Sequence, residues 1–367
     1  MIPLFKVYND LELAAKNIAS VLESGYVGQG GWCEQFESRL EEVLGHHRVL
    51  YVNSGTSALQ LAYKLAGVGP GSEVISTPVT CIATNSSIVA LGGKIVWADV
   101  NPETGNIRVD DVVKKITPRT RAIVGVDWAG RRCDFEGLRS RTRGITLIED
   151  AAHRMSCSTG FGGDFICHSF QAIKFLNTAD GGAIICPSAA THERAKLLRW
   201  FGLDRSRSDA MRCYQPIDET GWKFQGNDVL ASIGCANVEG AVANAASHQL
   251  NARHLFDELA GLPNIVVPPF DPGCHYWLFT VLVSSPALFE EFMRQKGVMV
   301  SQVHARNDLY GCFKESIGGP LPGVDYFATH QVSVPVGWWL GPGEIGQVVQ
   351  SVQEWARTRE ARWATEP

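Results

Sequence analysis

From about residue 47 to residue 190 the chain alternates short β-rich runs with stretches of helix length, and this rhythm limits the possible folds more than any other feature. VLYVNS (49–54), EVISTPV (73–79), KIVWADV (94–100), AIVGVDW (122–128), ITLIED (145–150), FICHSF (165–170) and GAIIC (182–186) read as strands. Between the first two, Ala58, Leu59, Leu61, Ala62, Leu65 and Ala66 fall at helical spacing. Strands joined by helical crossovers pair in parallel and are covered on both faces. The expected class is therefore α/β, with a mostly parallel central sheet flanked by helices.

The rhythm is lost after about residue 240. There VEGAVANAASHQLNARHLFDELAGL predicts one long helix, followed by a strand at WLFTVLVS (277–284) and a last helix near 343–358. The expected division is a large domain over 1–240, including the first helix in DLELAAKNIASVLESG, and a smaller α+β domain over 241–367. No block of basic residues accompanies the net charge of −5, which argues against nucleic-acid or lipid-headgroup partners. MIPLFKVYNDLELA lacks the basic start and apolar core of a signal peptide. No uninterrupted apolar run approaches the ~18 residues of a membrane span, so a cytoplasmic location is expected. None of the ten cysteines forms a CxxC pair, so zinc-ribbon and redox-motif readings fail on spacing. Reduced thiols and no metal are expected.

Three segments place reactive groups at strand ends. VNSGTSAL (52–59) puts a glycine and hydroxyl residues between a strand and a helix, where unpaired N–H groups suit a phosphate. Ser54 or Thr56 serving only as a helix cap is the ordinary alternative. LIEDAAH (147–153) ends a strand in Glu149 and Asp150, at the edge where open α/β sheets bind ligands. Asp150 is either a site carboxylate or a cap, and His153 by itself reads as a packed or surface histidine. In HSFQAIKFLNTADGG (168–182), Lys174 follows Ser169 by five residues. Most lysines are surface lysines. The order of phosphate turn, Asp, Ser and Lys instead suits pyridoxal phosphate (PLP), which needs an amine, an acid for its ring nitrogen, and phosphate donors.

With these segments in place, the chain resembles the DegT/DnrJ/EryC1/StrS family of PLP-dependent sugar aminotransferases, of aspartate-aminotransferase fold type I. GYVGQG (25–30), EQFESRLEEVLG, NSGTSAL, GPGSEVISTP, ADVNPETGNI, IEDAAH, SFQAIK, DGG and GWKFQGNDVLASIG (221–234) carry the likeness nearly end to end. The resemblance implies that Lys174 forms the Schiff base and that Asp150 pairs with the pyridine nitrogen. His153 would lie near the phenolic oxygen, and Gly55, Thr56 and Ser169 would bind the phosphate. Asn227 would reach the phosphate of the neighbouring subunit's cofactor, making the enzyme a homodimer with shared sites. A keto sugar and an amino donor are the implied substrates, with pyridoxamine phosphate (PMP) as the alternate cofactor form.

Three departures from the family pattern bear on the site. Cys81 stands where the family has an aromatic that stacks on the cofactor ring. ADGG (179–182) replaces GEGG, and Asp127 precedes Trp128 where many members have a histidine. The last two are expected to touch substrate selection. VHARNDLYGCF (303–313) is expected to shape the acceptor site through His304 and Arg306, although a solvated loop explains both equally well. Lys223, Arg131 and Arg132 are further candidates for an acceptor diphosphate. The expected function is amination of a nucleotide-linked 4-keto-6-deoxyhexose with glutamate or glutamine as donor. The alternatives are a cyclitol or other non-nucleotide acceptor, a sugar dehydratase working through PMP, and a non-catalytic PLP-fold regulator. Dehydratase relatives carry histidine in place of the lysine, and a regulator would have a damaged constellation; Lys174, Asp150 and the phosphate donors count against both.

Overall fold

Seven strands form one sheet in the order β1-β7-β6-β5-β4-β2-β3. They are β1 (Val49–Val52), β2 (Glu73–Ser76), β3 (Lys94–Trp97), β4 (Thr120–Val126), β5 (Thr146–Asp150), β6 (Phe165–Ser169) and β7 (Gly182–Ile185). This computed structural model describes residues 1–155, 160–207, 214–358 and 360–363; Cys157 and Cys213 lie outside them. The other eight cysteines are free thiols. All seven strands coincide with the runs read from the sequence. The pairs β2–β3, β2–β4, β4–β5 and β5–β6 are parallel, whereas β7 is antiparallel to both β6 and β1. The cause lies in the 170–181 connection, which contains no crossover helix and carries Lys174 instead.

The helices of the large unit are α1 (Leu11–Glu23), α2 (Gly31–Leu44), α3 (Gly55–Leu65), α4 (Ile82–Ala90), α5 (Val109–Lys114), α6 (Phe135–Arg141) and α7 (Ala189–Arg199). After them comes α8 (Asp228–Leu259), 32 residues long. Three strands then form the order β10-β9-β8, with β8 (Ile265–Val266), β9 (Phe279–Val283) and β10 (Gln331–Val334) all antiparallel. Helices α9 (Pro286–Gln295), α10 (Pro322–His330) and α11 (Pro342–Trp355) complete this smaller unit.

Two hydrophobic cores are joined by α8, and the larger also takes in Trp277, Leu278, Leu282, Val324 and Phe327 of the smaller unit. Ala231, Cys235, Val238, Ala241 and Ala245 belong to the core beneath the large sheet, while Ala252, Leu255 and Leu259 belong to that of the small one. Residue 240 therefore falls inside a continuous helix, and the hand-over between cores occurs between Ala245 and Ala252 with no linker. By length and apolarity α8 alone among the described helices could cross a membrane; here it is a core helix.

The first ten residues also bridge the units. Ile2 pairs with Val298 of the small unit, and Met299 N–H donates to the Ile2 carbonyl (2.9 Å). At the other end Asn177 donates to the Tyr8 carbonyl (3.1 Å), and Asp10 N–H donates to Asn237 (2.9 Å). Leu4 and Phe5 lie on the span between these anchors, where the cleft opens.

Candidate active site

Because β1 is antiparallel to β7, and β7 to β6, β1 runs in the same direction as β4, β5 and β6. The carboxyl ends of β1, β5 and β6 thus share one edge of the sheet. They deliver Ser54, Asp150 and Ser169 to a single chamber of about 460 Å³, with Lys174 in its wall.

The start of α3 is shaped for an anion. Ser54 has extended backbone angles and its hydroxyl accepts from Ser57 N–H (3.1 Å), which caps the helix. The amides of Gly55 and Thr56 stay free of intrahelical partners and line the chamber. A Cβ on Gly55 would lie 2.8 Å from the Ser169 Cβ, so only glycine lets the helix start come this close to the end of β6. The cap and the phosphate site are the same turn: Ser54 does the capping and leaves its neighbours' amides available.

Asp150 ends β5 and is buried. One oxygen accepts from the Thr84 hydroxyl (2.7 Å), the other from Ala152 N–H (3.2 Å). Thr84 in turn lies 2.8 Å from the Thr80 hydroxyl, which must donate to it because the Thr84 proton is already given to Asp150. Burial pushes the Asp150 carboxyl above its ordinary range; the two hydrogen bonds and Lys174 pull the other way. A cationic ring nitrogen placed against it would restore the ionised form.

Lys174 keeps an open edge toward the chamber while its ammonium is enclosed. Burial lowers its pKa to about 8, against the opposing charge of Asp150. His153 is buried, and its Nδ1 accepts from Ala129 N–H (3.3 Å). Burial holds its pKa well below the usual imidazole range, so the ring is neutral and Nε2 carries the proton. His304 also lines the chamber, parallel to His153 at 6.0 Å between ring centres. Burial brings its pKa down to about 4, and its Nε2 has no hydrogen-bond partner among the described residues.

The chamber fits PLP. It offers an enclosed amine, a carboxylate with hydroxyl and amide support, a neutral imidazole donor, and a helix start carrying Ser169 beside it. One family model, the DegT/DnrJ/EryC1/StrS aminotransferase family, matches residues 10–353. The chain belongs to the DegT/DnrJ/EryC1/StrS aminotransferase family. It is a PLP-dependent sugar aminotransferase of fold type I. AtS13 from Actinomadura melliaura is similar, with a TM-score of 0.90 and 37% identity over 96% of this chain and 98% of that one. The sugar aminotransferase CalS13 from Micromonospora echinospora gives a TM-score of 0.89 and 32% identity, covering 96% and 100% of the two chains. A dTDP-4-dehydro-2,3,6-trideoxy-D-glucose 4-aminotransferase from Saccharopolyspora spinosa is 29% identical over 71% of this chain and 73% of its own.

Of the residues singled out in the sequence, the structure brings Gly55, Thr56, Cys81, Asp150, His153, Ser169, Lys174 and His304 to one chamber. Cys81 sits at the N-terminus of α4 and is exposed at the rim. Arg306 lies outside the lining. Its guanidinium donates to both oxygens of Asp308 (2.8 and 2.7 Å) and to Asp325, and these carboxylates hold its pKa far above the usual range. Lys223, Arg131 and Arg132 do not line the chamber either; Arg131 pairs with Asp271 at 3.6 Å. Asn227 caps α8 through its Oδ1, which accepts from Leu230 N–H (3.0 Å), and lies outside the chamber.

Asp127 requires a correction. It faces no substrate, because it is fully buried in an ion cluster with Arg154 (3.1 Å), which also pairs with Glu149 (2.7 Å). Burial, and then the charge of Glu149, push its carboxyl well above the ordinary range. The adjacent departure behaves differently: Asp180 of ADGG does line the chamber. Sequence reasoning missed Thr80, Thr84 and Trp277. Thr84 is in the first turn of α4, and Thr80 lies just before the helix, where its hydroxyl meets that of Thr84.

Proposed function

We propose that this enzyme aminates a nucleotide-linked 4-keto-6-deoxyhexose, using glutamate or glutamine as donor, within a homodimer that shares its sites. The observation that carries this reading is the part of the chamber lining that comes from the N-terminal span and the small unit. Phe5, Trp277 and Val303 make it largely apolar, with Ser301 and His304 as its polar groups. A carbon without a hydroxyl can rest against such a wall, whereas a hydroxyl there would lose its hydrogen bonds to water without replacement. That favours a deoxygenated sugar, in keeping with the dTDP-linked trideoxy sugar named for the Saccharopolyspora relative.

In this reading PLP, when bound, supplies an electron sink for the carbon that exchanges its proton. Gly55, Thr56 and Ser169 hold its phosphate, and Asp150 keeps the ring nitrogen protonated. His153 donates from Nε2 to the phenolic oxygen. Lys174 anchors the cofactor and, once displaced by the amino donor, carries the proton in a site shielded from water. Cys81 borders the ring without stacking on it. His304 contacts the acceptor, and Arg306 acts through the loop that it pins to Asp308 and Asp325.

The deciding experiment is inhibition by free nucleoside diphosphates. UDP, GDP and dTDP are assayed side by side, and at least one is expected to compete with the keto acceptor. His304→Ala should raise KM for the acceptor several-fold more than it lowers kcat. Indifference to all three diphosphates would transfer the reading to a cyclitol or free keto sugar.

The shared site has its own test. Asn227→Ala removes a helix cap worth about 1 kcal/mol, and in a shared site it also loosens the partner's phosphate. The variant should therefore release PLP faster than its small loss in thermal stability explains. Wild-type protein sedimenting as a fully active monomer at micromolar concentration would rule out the shared site.

A further inference from the structure

The Nζ of Lys174 lies 3.6 Å from the ring centre of Trp277, and Lys174 makes no ion pair with Asp150. We propose that the indole face of Trp277 is the berth of the Lys174 amine whenever that amine is not bonded to the cofactor, which makes Trp277 a positioning residue for proton transfer. The inference rests on Lys174 being the PLP lysine.

Several contacts hold the indole in place. Its Nε1–H donates to the carbonyl of Ile173 (2.9 Å), the residue before Lys174. The ring stacks on His153 at 4.0 Å and on Phe5 of the N-terminal span at 4.8 Å. Behind it, Tyr276 adopts φ 50°, a left-handed conformation that an aromatic residue rarely takes. Its N–H is held by the Cys274 sulfur (3.2 Å), and its hydroxyl accepts from Asp271 N–H (2.7 Å). Gly130, at φ 96°, is packed close by: a Cβ there would lie 2.8 Å from the His153 carbonyl and 3.3 Å from the Tyr276 nitrogen. A strained turn braced on three sides delivers this one ring to the lysine.

The berth solves a problem of charge. A freed lysine ammonium beside a buried carboxylate would pair with it and compete with the ring nitrogen for Asp150. A π face attracts the ammonium without neutralising Asp150, and it lets go of the amine once the proton has left. The titratable groups bordering the chamber around Lys174 are Asp150, His153, Cys81, Cys167, His168, Asp180 and His304. None of these offers an uncharged attraction for a cation comparable to that of the indole.

The test uses the PMP form of the holoenzyme, prepared by reconstitution with PMP, in which Lys174 is free. Its carbamylation by cyanate is followed against pH by mass spectrometry of the Lys174 peptide. Because the indole favours the ammonium, Trp277→Leu should lower the midpoint by about one pH unit, and Trp277→Phe should restore most of the shift. In wild-type protein labelled with 5-fluorotryptophan, the resonance that Trp277→Phe deletes should titrate with the same midpoint. That measurement stands even where the leucine variant does not fold. A bound PMP with an unmoved midpoint, or a flat fluorine resonance, overturns the berth. Failure to bind PMP at all, read by its absorbance, would overturn the cofactor role of Lys174 instead.

Discussion

Lys174→Ala is expected to lower transamination by at least about 10⁴-fold, because one change removes both the covalent anchor and the proton carrier. The variant should still bind PLP, since the start of α3, Ser169, Asp150 and His153 are untouched. In the wild type, borohydride reduction should fix the cofactor mass on the peptide containing Lys174, and in the variant it should fix none. Labelling of any other lysine would sink the assignment, including the sugar chemistry built on it.

Asp150→Asn should cost about 10²–10⁴-fold in turnover, because the ring nitrogen loses the charge that keeps it protonated. The fold should not suffer. Asn can still accept from Thr84, and the exchange removes a buried charge. The sign follows from the pKa: burial raises the folded-state value of Asp150 above the unfolded value of about 3.9. A raised acid favours the folded state when protonated, so that stability is present below about pH 4 and is lost as pH rises through the folded value. At neutral pH the ionised carboxylate therefore costs the cofactor-free protein stability, and Asp150→Asn should melt at the same temperature or higher. The difference should vanish toward pH 3–4. Thermal melts of the cofactor-free variant across that range check this, and a variant that melts lower at neutral pH would mean that the carboxylate holds the fold.

Asp150 and the Ser54–Thr56 turn were legible in the sequence because each closes a strand whose apolar run is unmistakable, and Lys174 because it follows such a strand by five residues. A parallel sheet places the carboxyl ends of its strands on one edge, so residues far apart in the chain meet without any local signal being needed. Trp277 had no such signature. It sits in the apolar run WLFTVLVS, where a tryptophan reads as core, and only the packing of the small unit onto the large one turns it toward Lys174. Asp127 failed in the opposite sense. As a departure from the family pattern it was expected to touch substrate selection, but Arg154, four residues beyond Asp150, captures it within the protein. The antiparallel return of β7 was equally hidden, since GAIIC reads the same in either direction of pairing.

The continuity of α8 has a mechanical consequence. At 1.5 Å per residue its 32 residues form a rod of about 48 Å. Two bodies joined by a loop can swing freely about it, but two bodies threaded on one rod can separate only if the rod bends. The span from Ile2 to Asp10 acts as a tether beside it, fastened to the small unit at Ile2 and to α8 itself through Asn237. Widening the gap must flex the rod and stretch the tether together, so both oppose the motion. The enzyme should thus admit its sugar through side-chain and loop adjustments around His304, and fluorophores placed on the two units should report an almost constant separation through the catalytic cycle.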